Sequence, residues 1–117
     1  MKGEYPKYYE ELQGLVNNLW TNLPGPLSGF SELHKSALAD SALSRKHKEL
    51  IALGIAIAAR CKGCIAYHVH DALKSGATRK EVIETIGVAI FMGGGPAMIY
   101  GTEAIKALDE FQGDGEG

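Results

Sequence analysis

Apolar residues recur along most of this chain at spacings of three and four. No useful stretch shows the period-two alternation of a half-buried strand. Over residues 4–22, Tyr8, Leu12, Leu15, Val16, Leu19 and Trp20 fall at helical spacing, with Pro6 tolerable in the first turn. Aromatic residues so placed, Tyr5, Tyr8, Tyr9 and Trp20 among them, read as core or interface before they read as a ligand pocket. Leu23-Pro24-Gly25-Pro26 reads as a loop. Ser28 then caps a short helix to about Ala39 that buries Phe30, Leu33 and Leu38. Ser44 caps a third helix whose first turn is basic (Arg45, Lys46, Lys48), where the macrodipole favours acids. From Leu50 to Ala59 every residue but one glycine is apolar, the pattern of a helix buried on all sides. A chain this small has little room for such a helix, so self-association is expected.

A fourth helix is expected from near Cys61 to Ser75, with Gly76 just past its end. Thr78 and Glu81 form a capping box that opens a fifth helix, with Val82, Ile83, Ile86, Ala89 and Ile90 on its apolar face. Gly93-Gly94-Gly95-Pro96 ends it. The run lacks the Lys-Ser/Thr of a phosphate-binding loop and reads as a helix–helix connection. A last helix spans about Ala97 to Phe111, and residues 113–117 form a flexible tail. The expected architecture is all-α: one domain over 1–117, about six helices, N-terminal helices in 1–43 and a core region in 44–112.

Bulk composition narrows the partners. Of 117 residues 45% are apolar and 22% charged, and the formal net charge is −2 without a basic tract. Neither nucleic acid nor an anionic membrane surface is recommended. The N-terminus shows no apolar signal region, and the apolar stretches 50–59 and 88–100 read as too short to span a bilayer. A soluble, cytoplasmic protein without a membrane partner is the expectation.

The chemistry concentrates in one run, Glu49 to His68. Both cysteines of the chain lie there, in Cys61-Lys62-Gly63-Cys64, and His68 follows four residues later. On a helix the three side chains fall within an arc of roughly 60°. A disulfide closing so small a loop stabilises by about 2 kcal/mol at most, so a structural staple is the weakest reading. In a reducing compartment CxxC is redox-active or metal-binding. Redox chemistry needs a thiolate, a resolving partner and a proton carrier. The helix start and Lys62 favour Cys61 as thiolate, whereas His68 on the same face favours Cys64. A positioned base outweighs a partial charge, so Cys64 is read as the attacking thiol and Cys61 as the resolving one. Glu49 lies about 18 Å from Cys61 along a straight helix. If the chain folds back near Arg60, Glu49 comes level with residues His68 to Asp71. No proline marks such a turn, and Glu49 reads equally as a solvated acid beside Lys46 and Lys48.

Glu49, eleven residues, Cys-x-x-Cys, three residues and His68 together resemble the alkylhydroperoxidase D-like branch of the carboxymuconolactone decarboxylase superfamily. The segment from Ala72 to Phe111, with its glycine run, resembles that family too, so the likeness covers roughly Ser44 to Phe111. It implies an all-α fold with a central helical hairpin carrying the CxxC, assembled as a homotrimer or hexamer. It also implies peroxidase or disulfide-reductase activity, with Glu49, Cys61, Cys64 and His68 as a proton relay. The substrate would be a small hydroperoxide or a disulfide, the reductant an external dithiol, and no cofactor or metal would be needed. The founding member has a second histidine inside its CxxC, where this chain has Gly63, so a shorter relay is expected. His70 points about 200° from His68 on a helix and is a poor substitute. Beside the redox reading stands the bland one of an oligomeric structural protein with a vestigial pair of cysteines, and two alternatives with chemistry. One is a zinc module using Cys61, Cys64 and His68 with Glu49 or His70 as a fourth ligand. The other is a cofactor-free lactone decarboxylase, which does not need a CxxC.

Overall fold

Helix boundaries in this chain are set by local chemistry, and most can be traced to single residues. A computed structural model describes residues 3–116. Five helices follow in order: α1 (Glu4–Asn22), α2 (Pro24–Leu38), α3 (Arg45–Ala58), α4 (Lys62–Lys74) and α5 (Arg79–Glu116), with no strand among the described residues. The difference from about six helices lies at Gly94. There φ is 71° and ψ −152°, a conformation open essentially to glycine alone, and it bends α5 into two halves that correspond to the expected fifth and sixth helices. In place of the flexible tail expected over 113–117, α5 continues to Glu116; residue 117 lies outside the described residues.

The caps follow the sequence closely. Ser44 Oγ accepts the His47 N–H at 3.1 Å. Glu81 N–H donates to Thr78 Oγ1 at 3.1 Å while Thr78 N–H donates to Glu81 Oε1 at 2.9 Å, a complete capping box. Gly76, at φ 96°, closes α4: its N–H bonds to Leu73 O, and Ala77 N–H to Ala72 O.

Arg60 makes the same turn without being glycine. Its φ is 61°, its N–H donates to Ile57 O and the Cys61 N–H donates to Ala56 O, both at 3.1 Å. These are the two bonds of a Schellman ending, and they reverse the chain from α3 into α4 with three residues between the helices.

α3, α4 and α5 enclose the core, in which Leu53, Ile57, Ile65, Val69, Val82 and Leu108 are fully buried. Each such side chain contributes about 1.5–3 kcal/mol relative to its exposed state. α1 lies across α4 and α5. The Tyr5 hydroxyl donates to Glu103 Oε1 and the Tyr5 N–H to Glu110 Oε1, both at 2.6 Å. Burial and then Glu103 push the Tyr5 phenol well above the ordinary range. Glu4 pairs with Lys106 of α5 and Lys62 of α4, and these two ammonium groups hold its carboxyl below the ordinary range.

Four expectations are corrected. α2 begins at Pro24 rather than Ser28, because prolines in a first turn lack only N–H groups that have no helical partner there; the expected loop shrinks to Leu23. Phe30 and Leu33 are exposed and only Leu38 of that set is buried; Leu15, Leu19 and Trp20 of α1 are likewise largely open. α3 is not buried on all sides, since Ile51 and Ile55 face outward. The stretch 88–100 belongs to a helix, Arg79–Gly113, long and apolar enough to cross a membrane by length and composition. That helix bends at Gly94 and supplies the core positions Val82, Ile86, Ala89, Ala97, Ala104 and Leu108.

Arg60→Gly is expected to stabilise the protein by about 0.5–1 kcal/mol, because glycine relieves a left-handed conformation that disfavours other residues. Arg60→Val is expected to destabilise it by about 1–2 kcal/mol. Urea unfolding of both variants tests this, and equal midpoints would contradict it.

Candidate active site

The α3–α4 reversal brings Glu49 level with His68. Glu49 is fully buried, and its Oε1 lies 2.8 Å from His68 Nδ1. Its other oxygen, Oε2, accepts from Arg45 Nε at 2.9 Å, from one turn earlier on α3. A buried carboxylate is tolerable only when its oxygens are met in this way. No buried side-chain nitrogen or oxygen among the described residues lacks a partner. With Glu49 as acceptor, His68 carries its proton on Nδ1, which leaves Nε2 free to accept another.

The basic first turn of α3 is thereby explained within the chain. Arg45 holds Glu49, Lys46 pairs with Glu81 at 3.0 Å, and Lys48 Nζ donates to Ala39 O at 2.6 Å.

Cys61 and Cys64 are joined as a disulfide, with Cα atoms 5.2 Å apart, and both residues are partly exposed. Cys61 is the N-cap of α4, and its Sγ accepts the Cys64 N–H at 3.2 Å. His68 follows Cys64 by one helical turn. Lys62 is committed elsewhere: its ammonium pairs with Glu4 at 3.0 Å and lies 5.0 Å from the Tyr8 ring centroid. The acidifying charge expected from Lys62 is thus largely neutralised by Glu4. Gly63 faces α1, and a Cβ there would meet the Tyr8 hydroxyl and Leu12 at 3.5 Å each. α1 occupies the space that a larger side chain at this position would need.

His70 takes no part in the Glu49–His68 pair. Its ring stacks on Tyr9 with centroids 4.1 Å apart, and its Nδ1 lies 2.9 Å from Asp71 Oδ1. Burial, reinforced by the Asp71 carboxylate, pushes the Tyr9 phenol up to about 12. The group best placed to share a cation is Glu49, His68 and Asp71, which offer ligand atoms within 4.8 Å of one another, and it includes neither cysteine. Arg45 already takes one oxygen of Glu49, and Arg45 and Lys74 line the adjacent pocket with Asp71, so the local charge opposes a cation. Sequence reasoning passed over Arg45 and Asp71 as site residues. The signal was helical spacing: Arg45 precedes Glu49 by four residues and Asp71 follows His68 by three.

Fold and site together define a class: an all-α protein whose α3–α4 hairpin sets a CxxC pair beside a buried carboxylate–imidazole pair. The carboxymuconolactone decarboxylase family model matches residues 24–107, and the chain belongs to that family. A crystal structure of an apo family member from Legionella pneumophila superposes with a TM-score of 0.88 at 39% identity, covering 92% of this chain and 96% of that one. A Thermotoga maritima protein superposes with a TM-score of 0.83 at 25% identity, over 94% and 97% of the two chains. A second Thermotoga maritima structure, titled as a family protein with a suggested part in the antioxidative response, gives 0.73 at 26% identity over 78% and 94%. An uncharacterized Cupriavidus necator protein is 36% identical over 86 residues, 74% of this chain and 76% of its own length. The fold is the alkylhydroperoxidase D-like one, and the CxxC with its Glu–His–Asp surroundings is compatible with redox function.

Glu49→Ala should lower the unfolding free energy by about 2 kcal/mol, since it leaves Arg45 and His68 without their shared acceptor. Glu49→Gln should cost less, because an amide oxygen still accepts. Urea denaturation of the oxidised protein checks the order, and an alanine variant as stable as wild type would contradict it.

Proposed function

We propose that this protein is a thiol-dependent oxidoreductase that reduces hydroperoxides or disulfides through the Cys61–Cys64 pair, with His68 and Glu49 carrying protons. The observation that supports this most directly is the joined cysteine pair at the head of α4, one turn from an imidazole whose other face is fixed by a buried carboxylate. The antioxidative wording of one relative's title points the same way.

The cycle balances as follows. His68 Nε2 takes the Cys64 proton, and the thiolate attacks the outer oxygen of a hydroperoxide. An S–O bond forms, the O–O bond breaks, and the leaving alkoxide takes the proton back as an alcohol. The Cys61 thiolate then attacks the Cys64 sulfenic sulfur, an S–S bond forms, and the displaced hydroxide leaves as water with a proton. An external dithiol reduces the disulfide by two exchanges and is itself oxidised to a disulfide. A disulfide substrate would be reduced by the same exchange in the opposite direction. Re-reduction suits the cytoplasm. A zinc module has less support, because the cysteines are paired with each other and the three-residue cluster excludes them. Lactone decarboxylation leaves the thiol pair unused.

We also propose that the protein is a homo-oligomer, a trimer or hexamer. An apolar groove of about 630 Å³ between α3 and α5 is lined by Leu50, Ile51, Ile55, Val88 and Met92, among others. Ile55 is 63% and Phe91 84% exposed. Patches of this kind on a lone chain mark contact surfaces.

Reduced protein given one equivalent of an organic hydroperoxide should lose both thiols, with a mass decrease of about 2 Da. Cys64→Ser should abolish turnover, and Cys61→Ser should stop at sulfenic acid; turnover retained by Cys64→Ser would overturn the assignment. Light scattering at micromolar concentration should give three or six times the chain mass, and a monomer would remove the oligomer proposal.

A further inference from the structure

Among the described residues Arg60 is the one non-glycine residue at positive φ; the other two such positions, Gly76 and Gly94, are glycines. A left-handed residue with a full side chain is strained, and strain kept where glycine would relieve it points to a use for that side chain. The use does not lie inside the fold. Of the three arginines in the chain, Arg45 holds Glu49, and Arg79 holds Asp109 at 2.7 Å and Gln112 at 3.1 Å. Arg60 is exposed, and its guanidinium meets no acceptor among the described residues.

Its position is beside sulfur. Arg60 directly precedes Cys61, so its Cα stands about 3.8 Å from that of a disulfide-bonded residue. Ala58 and Ala59 before it are exposed, and both cysteines are partly so. The other cation at the pair is already engaged: Lys62 is bound by Glu4 at 3.0 Å and rests over the Tyr8 ring. Of the two basic side chains that flank Cys61, Arg60 is therefore the one left to meet an incoming anion.

We infer that Arg60 is a specificity residue for the disulfide, its guanidinium receiving a carboxylate carried by the small thiol or disulfide that exchanges with Cys61–Cys64. This names a substrate class for the redox reading and rests on that reading for its use in turnover. Recognition of the carboxylate itself does not need turnover. A planar guanidinium presents paired N–H donors that match the two oxygens of a carboxylate, which a lysine ammonium does less specifically. With a disulfide substrate, the Cys64 thiolate attacks one substrate sulfur; an S–S bond forms, the substrate S–S bond breaks and one substrate thiolate leaves. The Cys61 thiolate then attacks the Cys64 sulfur, closing the protein disulfide and expelling the second substrate thiolate. Two electrons pass from protein to substrate, and Arg60 holds the substrate's charge while its sulfur is attacked.

The first experiment compares two disulfides that release coloured thiolates from reduced protein at neutral pH. Dithiobis(nitrobenzoate) carries two carboxylates and dithiodipyridine carries none. Arg60→Gln should slow the first about tenfold and leave the second unchanged, Arg60→Lys should keep most of the rate, and high salt should erase the difference between wild type and Arg60→Gln. Arg60→Gly, which relieves the turn, should behave as Arg60→Gln does, so that misfolding cannot account for the loss. Equal slowing of both reagents, or of neither, would overturn the inference, because a change in thiol reactivity or in the turn acts on both alike. The second experiment needs no thiol chemistry. In oxidised protein labelled with 15N-arginine, the Arg60 Nε–H signal should shift with the S-methyl thioether of the same nitrobenzoate at millimolar concentration, and not with the corresponding uncharged amide. Absence of a shift would overturn the inference even if wild type proves an active peroxidase. A shift in a protein that turns over neither hydroperoxide nor disulfide would leave the carboxylate site standing and remove the redox reading instead.

Discussion

A single left-handed residue sets the geometry on which the site depends. Arg60 at φ 61° ends α3 and turns the chain directly into α4. Along a straight rod Glu49 would stand about 18 Å from Cys61. Through the turn, α3 and α4 become antiparallel neighbours, and Glu49 meets His68 at 2.8 Å. The strain of the conformation is offset by two backbone bonds, Arg60 N–H to Ile57 O and Cys61 N–H to Ala56 O, that would otherwise be open carbonyls at the helix end. The turn also leaves Cys61 at the N-cap of α4, so one local event fixes the carboxylate opposite the imidazole and the first thiol at a helix start.

The second constraint is electrostatic. Burying Glu49 would be prohibitive without Arg45 on one oxygen and His68 on the other. This explains why α3 opens with basic residues against the helix dipole: Arg45 and Lys46 find carboxylates, and Lys48 a backbone carbonyl, on neighbouring parts of the fold. Glu4 performs the corresponding task for α1, clamping Lys62 of the CxxC and Lys106 of α5. Both Glu4 and Glu81 are held below the ordinary carboxylate range by their lysine and backbone partners, so these ties persist above that range and weaken only as the pH falls through the lowered values.

What could be read from sequence follows from this hierarchy. Ser44, Thr78 with Glu81, and Gly76 act within a turn of their own position, and the structure has them where the pattern places them. The all-α class was legible for the same reason, being carried by periodicity, whereas the grouping of Glu49 with the CxxC and His68 was implied by the family resemblance of their spacing and not by the pattern itself. The Arg60 turn was not legible, because nothing in arginine announces a left-handed conformation. The start of α2 was missed because two prolines in four residues signal a loop as strongly as a helix start. The apolar faces of α2 and of Ile51 and Ile55 on α3 were misplaced for a deeper reason. Hydrophobic periodicity reports that a face avoids water, and it does not say whether the covering surface comes from the same chain.

The two cysteines are chemically unequal, and the inequality favours one direction of exchange. Cys61 Sγ sits at the N-cap and accepts the Cys64 N–H at 3.2 Å, a position that stabilises a thiolate. In disulfide exchange the better-stabilised thiolate is the better leaving group, so an external dithiol attacking Cys64 would expel Cys61. In the proposed oxidative half-cycle Cys64 is again the atom that meets substrate, with its proton drawn toward His68, and Cys61 waits as the stabilised thiolate that resolves the sulfenic acid. Neither role needs the charge of Lys62, which the fold spends on Glu4 and the Tyr8 ring. Gly63 packs against Tyr8 and Leu12, so α1 fills the space beside the CxxC where a larger side chain would stand.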